Sequence, residues 1–363
     1  MMSRRLLPLT ITDRCCSSRM AAFGAIRYDG FLSPQVFLNL LIDNAFLCIV
    51  AVGMTFVILS GGIDLSVGAV IALTTMISAT LLDAGWNPYA AMALVLLLGA
   101  AFGALQGFLI QRFKLAPFIV TLAGMFLARG CCYLISTESI PINDATYAAI
   151  AQARAFPVGF GASLTIGALI ALAVVGVAMR IAHSTEFGRT VYAIGGGESS
   201  ARLMGLAGGL HQDRRLSTER RCAALGGIVM TFYMLSGYSL HAVGLELDAI
   251  AAVVIGGTLL AGGVGYVAGT LFGVLILGII QTLIAFDGTL SSWWTKIVVG
   301  ALLLLFCLLQ RLFEGARPRR REGGMTRSFG RLPDGQEVEV VHAGLRQTDC
   351  RPRSSRWAAR CAA

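Results

Sequence analysis

AIAAVVIGGTLLAGGVGYVAGTLFGVLILGIIQTLIAF, residues Ala249 to Phe286, carries no charged side chain. It is too long for one membrane crossing, because about 20 apolar residues already span the hydrocarbon layer. Gly262, Gly263 and Gly265 interrupt it, and clustered glycines punctuate a helix by giving the backbone turns that other residues resist. The run therefore reads as a short membrane segment, a tight glycine turn and a full helix from about residue 266. Backbone without helix at that depth is tolerated only where protein or a water-filled cavity surrounds it.

Working outward, apolar runs recur at about 41–60, 65–82, 88–110, 117–135, 158–181, 223–243 and 293–313. With the 249–286 run split in two, the expectation is an all-α, polytopic transmembrane bundle of about nine membrane segments. Composition agrees. Of the 363 residues, 56% are hydrophobic and 13% charged, and the mean hydropathy is +0.74, whereas a soluble domain carries about 25% charged residues. An ordinary soluble fold is excluded.

The net charge of +9 sits at the ends. Residues 1–40 hold five Arg and two Asp, residues 311–363 hold twelve Arg and six acidic groups, and the stretch between them balances. Basic ends fit cytoplasmic retention better than a nucleic-acid face, which needs basic residues interleaved with aromatics. The 111–116 connection and the 182–222 connection, with Arg189, Arg202, Arg214, Arg215, Arg220 and Arg221, are expected on the cytoplasmic side, leaving Asp83–Asn87 and Ser136–Pro157 outside. Only the split of 249–286 returns the Arg-rich tail to the cytoplasm. The front end breaks this parity: residues 12–30 contain Asp13, Arg14, Arg19, Arg27 and Asp29, too much charge for a further span. Leu6–Ile11 is also too short for the apolar core of a signal peptide.

Inside the spans, Gly99, Gly103 and Gly107 form one small-residue stripe and Gly265, Gly269 and Gly273 another, each allowing close helix approach. Polar residues within or near spans are Asp43, Asn44, Asp64, Ser66, Gln106, Thr121, Arg129, Gln281, Asp287 and Lys296. Such groups face a bundle interior or an aqueous path, or lie at span ends where interfacial water satisfies them. Asn44, Asp64, Ser66, Thr121, Gln281 and Trp293 are the candidate substrate-path residues; Trp293 and Trp294 also fit an interfacial belt. The nine cysteines show no CxxC pair and no metal-binding spacing, and no catalytic or metal site is expected. No phosphate loop and no His-Glu-x-x-His motif is present. Gly263-Val-Gly265-Tyr-Val-Ala268 mimics a dinucleotide fingerprint, but no βαβ unit surrounds it. In the 182–222 connection a glycine turn precedes a short amphipathic stretch, Ala201–Met204, with Ser199 as its N-cap; such an element suits docking of a partner.

Three segments carry a family resemblance: Asp43–Gly68 with Ser60-Gly-Gly-Ile-Asp-Leu-Ser-Val-Gly68, Phe187-Gly-Arg-Thr-Val-Tyr-Ala-Ile-Gly-Gly196, and Ile250–Gly263. Together they are similar to the permease subunits of ribose-type sugar ABC importers, over roughly residues 32–207 and 224–313. Glu138–Asn143 and Phe286–Lys296 most resemble the branch that imports galactofuranose. The resemblance implies a permease that moves a monosaccharide across the bacterial inner membrane. It implies as partners an ABC ATPase subunit that uses ATP, a second permease in a homo- or heterodimer, and a periplasmic sugar-binding protein. This chain itself would bind no cofactor. Gly188, Arg189, Tyr192, Gly195, Gly196, Glu198, Ala201, Met204 and Gly205 would then couple it to the ATPase. Bulky replacements of Gly195 and Gly196 are expected to uncouple transport and leave insertion intact.

The expected organisation is an aberrant basic segment 1–35, a permease domain 36–313 with a coupling loop 182–207 and an aberrant polar insert 208–222, and a disordered Arg-rich tail 314–363. Where relatives of this type carry membrane helices, Ile11–Gly30 and Leu210–Cys222 are polar, which is the pattern of compensated reading-frame shifts. The rival function is a secondary transporter driven by an ion gradient, since such proteins also use glycine-broken helices.

Overall fold

The computed structural model describes residues 33–159, 162–197, 209–288, 293–315, 325–331 and 337–342, with isolated positions between 19 and 31 and at 201 and 205. Helices α1 (Pro34–Asp43) and α2 (Ala45–Leu59) are followed by α3 (Val67–Asp83), α4 (Pro88–Phe113) and α5 (Pro117–Ile135). A short strand β1 (Ile140–Pro141), helix α6 (Ala145–Gln152) and hairpin strands β2 (Arg154–Gly159) and β3 (Ala162–Thr165) precede α7 (Ile166–Ser184) and α8 (Glu186–Gly196). Then come α9 (Gly209–Met234), strand β4 (Ser236–Gly237), α10 (Leu245–Ile255), α11 (Val267–Asp287) and α12 (Trp293–Gly315).

Local chemistry sets many of the helix starts. Pro88 and Pro117 stand in first turns, where their missing N–H would have had no partner. The Asn87 side chain accepts from the Tyr89 and Ala90 amides, Asp144 from Thr146 and Tyr147, and Thr165 from Ala168, each satisfying orphan donors of the first turn. Among the described residues, five helices, α4, α5, α7, α11 and the Trp293–Gln310 part of α12, are long and apolar enough to cross a membrane. The pair α1 and α2, bent by 55°, makes a sixth. The remaining expected segments are the shorter α3, the second half of α9, and α10. The chain is a polytopic helical membrane protein.

Helix α9 lies at the centre, and glycines bring its neighbours close. A Cβ on Gly99 of α4 would lie 2.6 Å from the Ala224 Cβ, and one on Gly227 of α9 would lie 2.7 Å from the Thr74 Cβ of α3. Gly226 meets Val50 of α2 at 2.9 Å in the same sense. Gly99, Gly103 and Gly107 are all buried on α4. Cβ atoms on Gly269 and Gly273 would run into the Gly256 and Ala252 carbonyl oxygens, so α11 packs backbone to backbone on α10.

Several expected boundaries shift. The 158–181 span begins only at Ile166, because Arg154–Gly159 pairs antiparallel with Ala162–Thr165. The 223–243 span ends at Met234, where Leu235 takes φ 49° and the chain turns into β4, paired with β1. Of residues 208–222, expected as a polar insert, 209–222 are the first half of α9. Its last polar turn is accommodated because Glu219 and Arg220 face inward, 1% and 0% exposed. Part of the 1–35 segment also joins the fold. Phe31 is buried, stacks edge-on to Phe286 at 5.6 Å, and lies beside Tyr28, whose hydroxyl donates to Asp287 Oδ1 at 3.0 Å. Aromatic burial there offsets the polarity of the surrounding sequence.

Residues 309–363 form a separate unit. Within it, Met325–Arg331 (β5) pairs antiparallel with Glu337–His342 (β6). The alternating Glu337-Val-Glu-Val sequence has the period of a strand.

Candidate functional site: two interlocked helix breaks

The first break, Ser60–Ser66, separates α2 from α3. Gly61 takes φ 81°, and the amides of Gly61 and Gly62 donate to the Ile58 and Val57 carbonyls at 2.8 and 3.0 Å, a left-handed closure that uses the helix's orphan acceptors. Asp64 then turns the chain into α3, its Oδ1 accepting from the Ser66 amide at 2.8 Å and the Ser66 hydroxyl at 3.1 Å.

The second break, Gly256–Tyr266, separates α10 from α11. Gly257, Gly262 and Gly263 have φ of 84°, 86° and 74°. The loop closes on itself through Leu259 N–H to the Val264 carbonyl at 2.9 Å and Gly262 N–H to the Leu259 carbonyl at 3.0 Å. This is the glycine turn expected within 249–286. Its partner was not legible: the Gly263 amide donates to the Leu59 carbonyl at 2.8 Å, and a Cβ on Gly262 would lie 2.8 Å from the Gly61 nitrogen. The two breaks therefore interlock by backbone contact.

Helix α8 seats on both. Thr185 caps it, accepting from the Gly188 amide at 3.2 Å. Gly188 itself abuts the Ile181 and Ala182 carbonyls, leaving no room for a side chain. Gly195 abuts the Leu59 carbonyl and the Gly263 backbone, a Cβ on Gly263 would lie 2.7 Å from the Gly196 nitrogen, and the Tyr192 hydroxyl donates to the Gly265 carbonyl at 2.9 Å. Phe187 packs on Phe56 of α2 with ring centroids 5.9 Å apart. Glu186, Arg189 and Gly196 are exposed.

The expected coupling residues thus divide. Arg189 and Gly196 face outward, Gly188 and Gly195 are packing positions, and Tyr192 is half-buried against the second break. Ala201 is buried, and Gly205 is exposed at φ 74°. Glu198, Ser199 and Met204 lie outside the described residues. The amphipathic docking element was expected at Ala201–Met204; an eleven-residue helix lies before that stretch and runs through the glycines. A bulky side chain at Gly195 would push against the breaks themselves, whereas Gly196 has nothing within 4 Å.

Of the expected path residues, Asp64, Ser66 and Thr121 come together. Thr121 of α5 donates to the Ile63 carbonyl at 3.4 Å and to the Phe118 carbonyl at 3.1 Å. Arg220 of α9 bridges this break to α4, pairing with Asp64 Oδ2 at 2.5 Å and donating from Nε to Gln106 Oε1 at 3.2 Å, all in the dry interior. Glu219 Oε2 lies 3.8 Å from the same guanidinium. Arg220 was not expected here, since it was counted as a cytoplasmic charge; an unpaired Asp64 in an apolar run was the available signal. The other path residues do not join the cluster. Asn44 binds the Leu40 carbonyl at the α1–α2 bend, Gln281 is half-buried on α11, and Trp293 is 75% exposed. A cavity of about 280 Å³ between α3 and α4 is lined by apolar residues such as Leu73, Ile77, Leu98 and Phe102, and none of the path residues lines it.

Arg129 of α5 donates to the Ser239 and His241 carbonyls, at 2.5 and 2.9 Å, and pins the strap between α9 and α10. His241 Nδ1 is 3.5 Å from the Thr75 hydroxyl; burial, and secondarily the Arg129 charge, hold its pKa below the ordinary imidazole value. Lys296 of α12 bridges to Asp248 of α10 at 2.6 Å. Among the described residues no group of His, Cys, Asp and Glu is arranged to hold a metal ion.

The helical bundle with paired glycine breaks is a polytopic membrane protein, and comparison with known proteins is specific. The family described as "Branched-chain amino acid transport system / permease component" matches residues 36–307. The chain belongs to this permease family. It is 53% identical over 302 residues to the inner membrane ABC transporter permease protein YjfF of Escherichia coli (strain K12), covering 83% of this chain and 91% of that protein. It is 44% identical over 296 residues to the fructose import permease protein FruG of Bifidobacterium longum (strain NCC 2705), covering 80% and 85%. It is 38% identical over 283 residues to the ribose import permease protein RbsC of Bacillus subtilis (strain 168), covering 77% and 86%. No solved structure matches it. The chain is a multi-pass inner-membrane protein of the ribose-type permease group.

Proposed function

We propose that this chain is the membrane permease subunit of an ATP-driven importer for a monosaccharide, galactofuranose or a similar sugar, working with a second permease, a separate ABC ATPase and a periplasmic sugar-binding protein. The observation that carries the reading is α8: its inner face rests on both helix breaks while Glu186, Arg189 and Gly196 remain exposed for a partner. The similarity to fructose and ribose import permeases supports the substrate class.

In this mechanism the chain binds no nucleotide. The ATPase engages the exposed face of α8, and its closure moves that helix. Because Gly195 is in backbone contact with Leu59 and Gly263, the movement reaches both breaks, and with them the ends of α2 and α11. A conformational change of this kind needs the partner to interact differently with two states of the permease. Asp64, Ser66 and Thr121 border the first break and would sense the change directly.

The test is radiolabelled sugar uptake in cells lacking this gene, complemented by the chain with and without the partner ATPase. Uptake that needs the ATPase and survives collapse of the ion gradients supports the proposal. Uptake by the chain alone, abolished by an ionophore, would establish the secondary transporter.

A further inference from the structure

We infer that Tyr192 is a positioning residue: its hydroxyl bond to the Gly265 carbonyl, 2.9 Å long, makes the second helix break follow α8 when α8 withdraws as well as when it advances. The inference rests on the importer reading above.

The contacts of α8 with the bundle differ in what they transmit. Phe187 against Phe56 is an apolar ring contact, which has no fixed direction and permits sliding. Gly195 against Leu59 and Gly263 is steric contact between backbones; dense packing resists compression but offers little against separation, because each dispersion contact is weak. A hydrogen bond is directional and restrains both senses of motion. Among the described residues, Tyr192 supplies the side-chain hydrogen bond that joins α8 to the second break. It stands three residues before Gly195, on the same face of the helix, so push and pull act at adjoining points.

The receiving end is built to move as a piece. Gly265 precedes Tyr266, the N-cap of α11. The loop before it is closed by the Leu259–Val264 and Gly262–Leu259 hydrogen bonds, and a Cβ on Gly265 would lie 2.5 Å from the Thr258 hydroxyl. Displacing the Gly265 carbonyl therefore displaces the whole loop, and the Gly263–Leu59 bond carries the first break with it. Without the phenol hydroxyl, α8 still presses the breaks together but no longer draws them back, so the return half of the cycle loses its link.

The experiment uses Tyr192→Phe in the assembled importer, with its ATPase, second permease and binding protein, in proteoliposomes. The ring and its packing are kept. Amide hydrogen exchange is followed in the peptides 186–197 and 259–266 with and without a non-hydrolysable ATP analogue, alongside sugar taken up per ATP hydrolysed. In the wild type both peptides should respond to nucleotide. In the variant the response of 186–197 should persist, that of 259–266 should fall at least about threefold, and uptake per ATP should fall about three- to tenfold, the range that one net hydrogen bond represents. An undiminished response at 259–266, or unchanged uptake per ATP, overturns the role of Tyr192 and leaves the importer reading standing. A wild type whose 186–197 peptide ignores nucleotide overturns both.

Discussion

The Gly263 amide donates to the Leu59 carbonyl at 2.8 Å across more than half the chain, joining the end of α2 to the loop before α11. At Gly263, φ is 74° and a Cβ would lie 2.7 Å from the Gly196 nitrogen, so two costs fall on one position. Gly263→Ala should carry the left-handed strain, about 1–2 kcal/mol, plus an overpacking term of about 1–3 kcal/mol. Gly85→Ala, at φ 79° with nothing within 4 Å, should carry the strain alone. Thermal unfolding of the two variants in detergent checks this; equal losses would show that the close approach is unimportant.

Arg220 and Asp64 are both fully buried. In a Glu219→Gln background, which removes the neighbouring buried carboxylate, Arg220→Met strands the Asp64 carboxylate in the interior and should cost about 3–5 kcal/mol, while the pair Asp64→Leu with Arg220→Met should recover most of it, because a buried ion pair is replaceable by well-packed apolar groups. Melting temperatures of the single and double variants decide it: a double variant as unstable as the single would contradict the pairing.

Arg129 holds the strap through the Ser239 and His241 carbonyls. Arg129→Gln removes charged hydrogen bonds worth about 1.5–3 kcal/mol each. Exchange of the amides at 238–242 should quicken at least tenfold, while α4 amides stay protected. Uniform quickening would mean global unfolding instead.

His241 should make the fold sensitive to acid. Its folded-state pKa lies below the ordinary value of about 6.5. Above pH 6.5 the imidazole is neutral in both states and stability is at its full value. As pH falls below 6.5 the unfolded chain takes up the proton first, and stability drops until the folded-state pKa is passed. His241→Gln should therefore lose less melting temperature between pH 7 and pH 5 than the wild type. Parallel pH profiles would remove His241 as the cause.

Gly196 and Gly195 separate docking from packing. Gly196→Trp should keep the wild-type melting temperature and sharply lower uptake, since its surroundings are open. Gly195→Trp should lower both. Unimpaired uptake in Gly196→Trp would move the docking face elsewhere on α8.

Much of this architecture was legible one element at a time. The 117–135 helix appears with the expected bounds, because Pro117 starts it and a continuous apolar run sustains it. The glycine turn in 249–286 and the two small-residue stripes were equally local signals. Arg220 was misplaced for the opposite reason. Charge counting assigns an Arg-rich stretch to the cytoplasm, yet one guanidinium pointing inward finds Asp64 and Gln106, and only the packing of α9 reveals which of the neighbouring arginines does so. Helix α8 was missed because three of its residues are glycines near its ends, which read as a turn until the contacts that require them are seen.

The amino-acid order alone determined that the chain lives in lipid, roughly where most of its membrane helices run and that the 249–286 run must break, since apolar length and glycine placement act over a few neighbouring residues. Tertiary structure decided that the two breaks bind each other, that α8 rests on both, and that a buried arginine answers Asp64. Those are meetings between residues far apart in the chain, and they depend on which faces the helices present once packed.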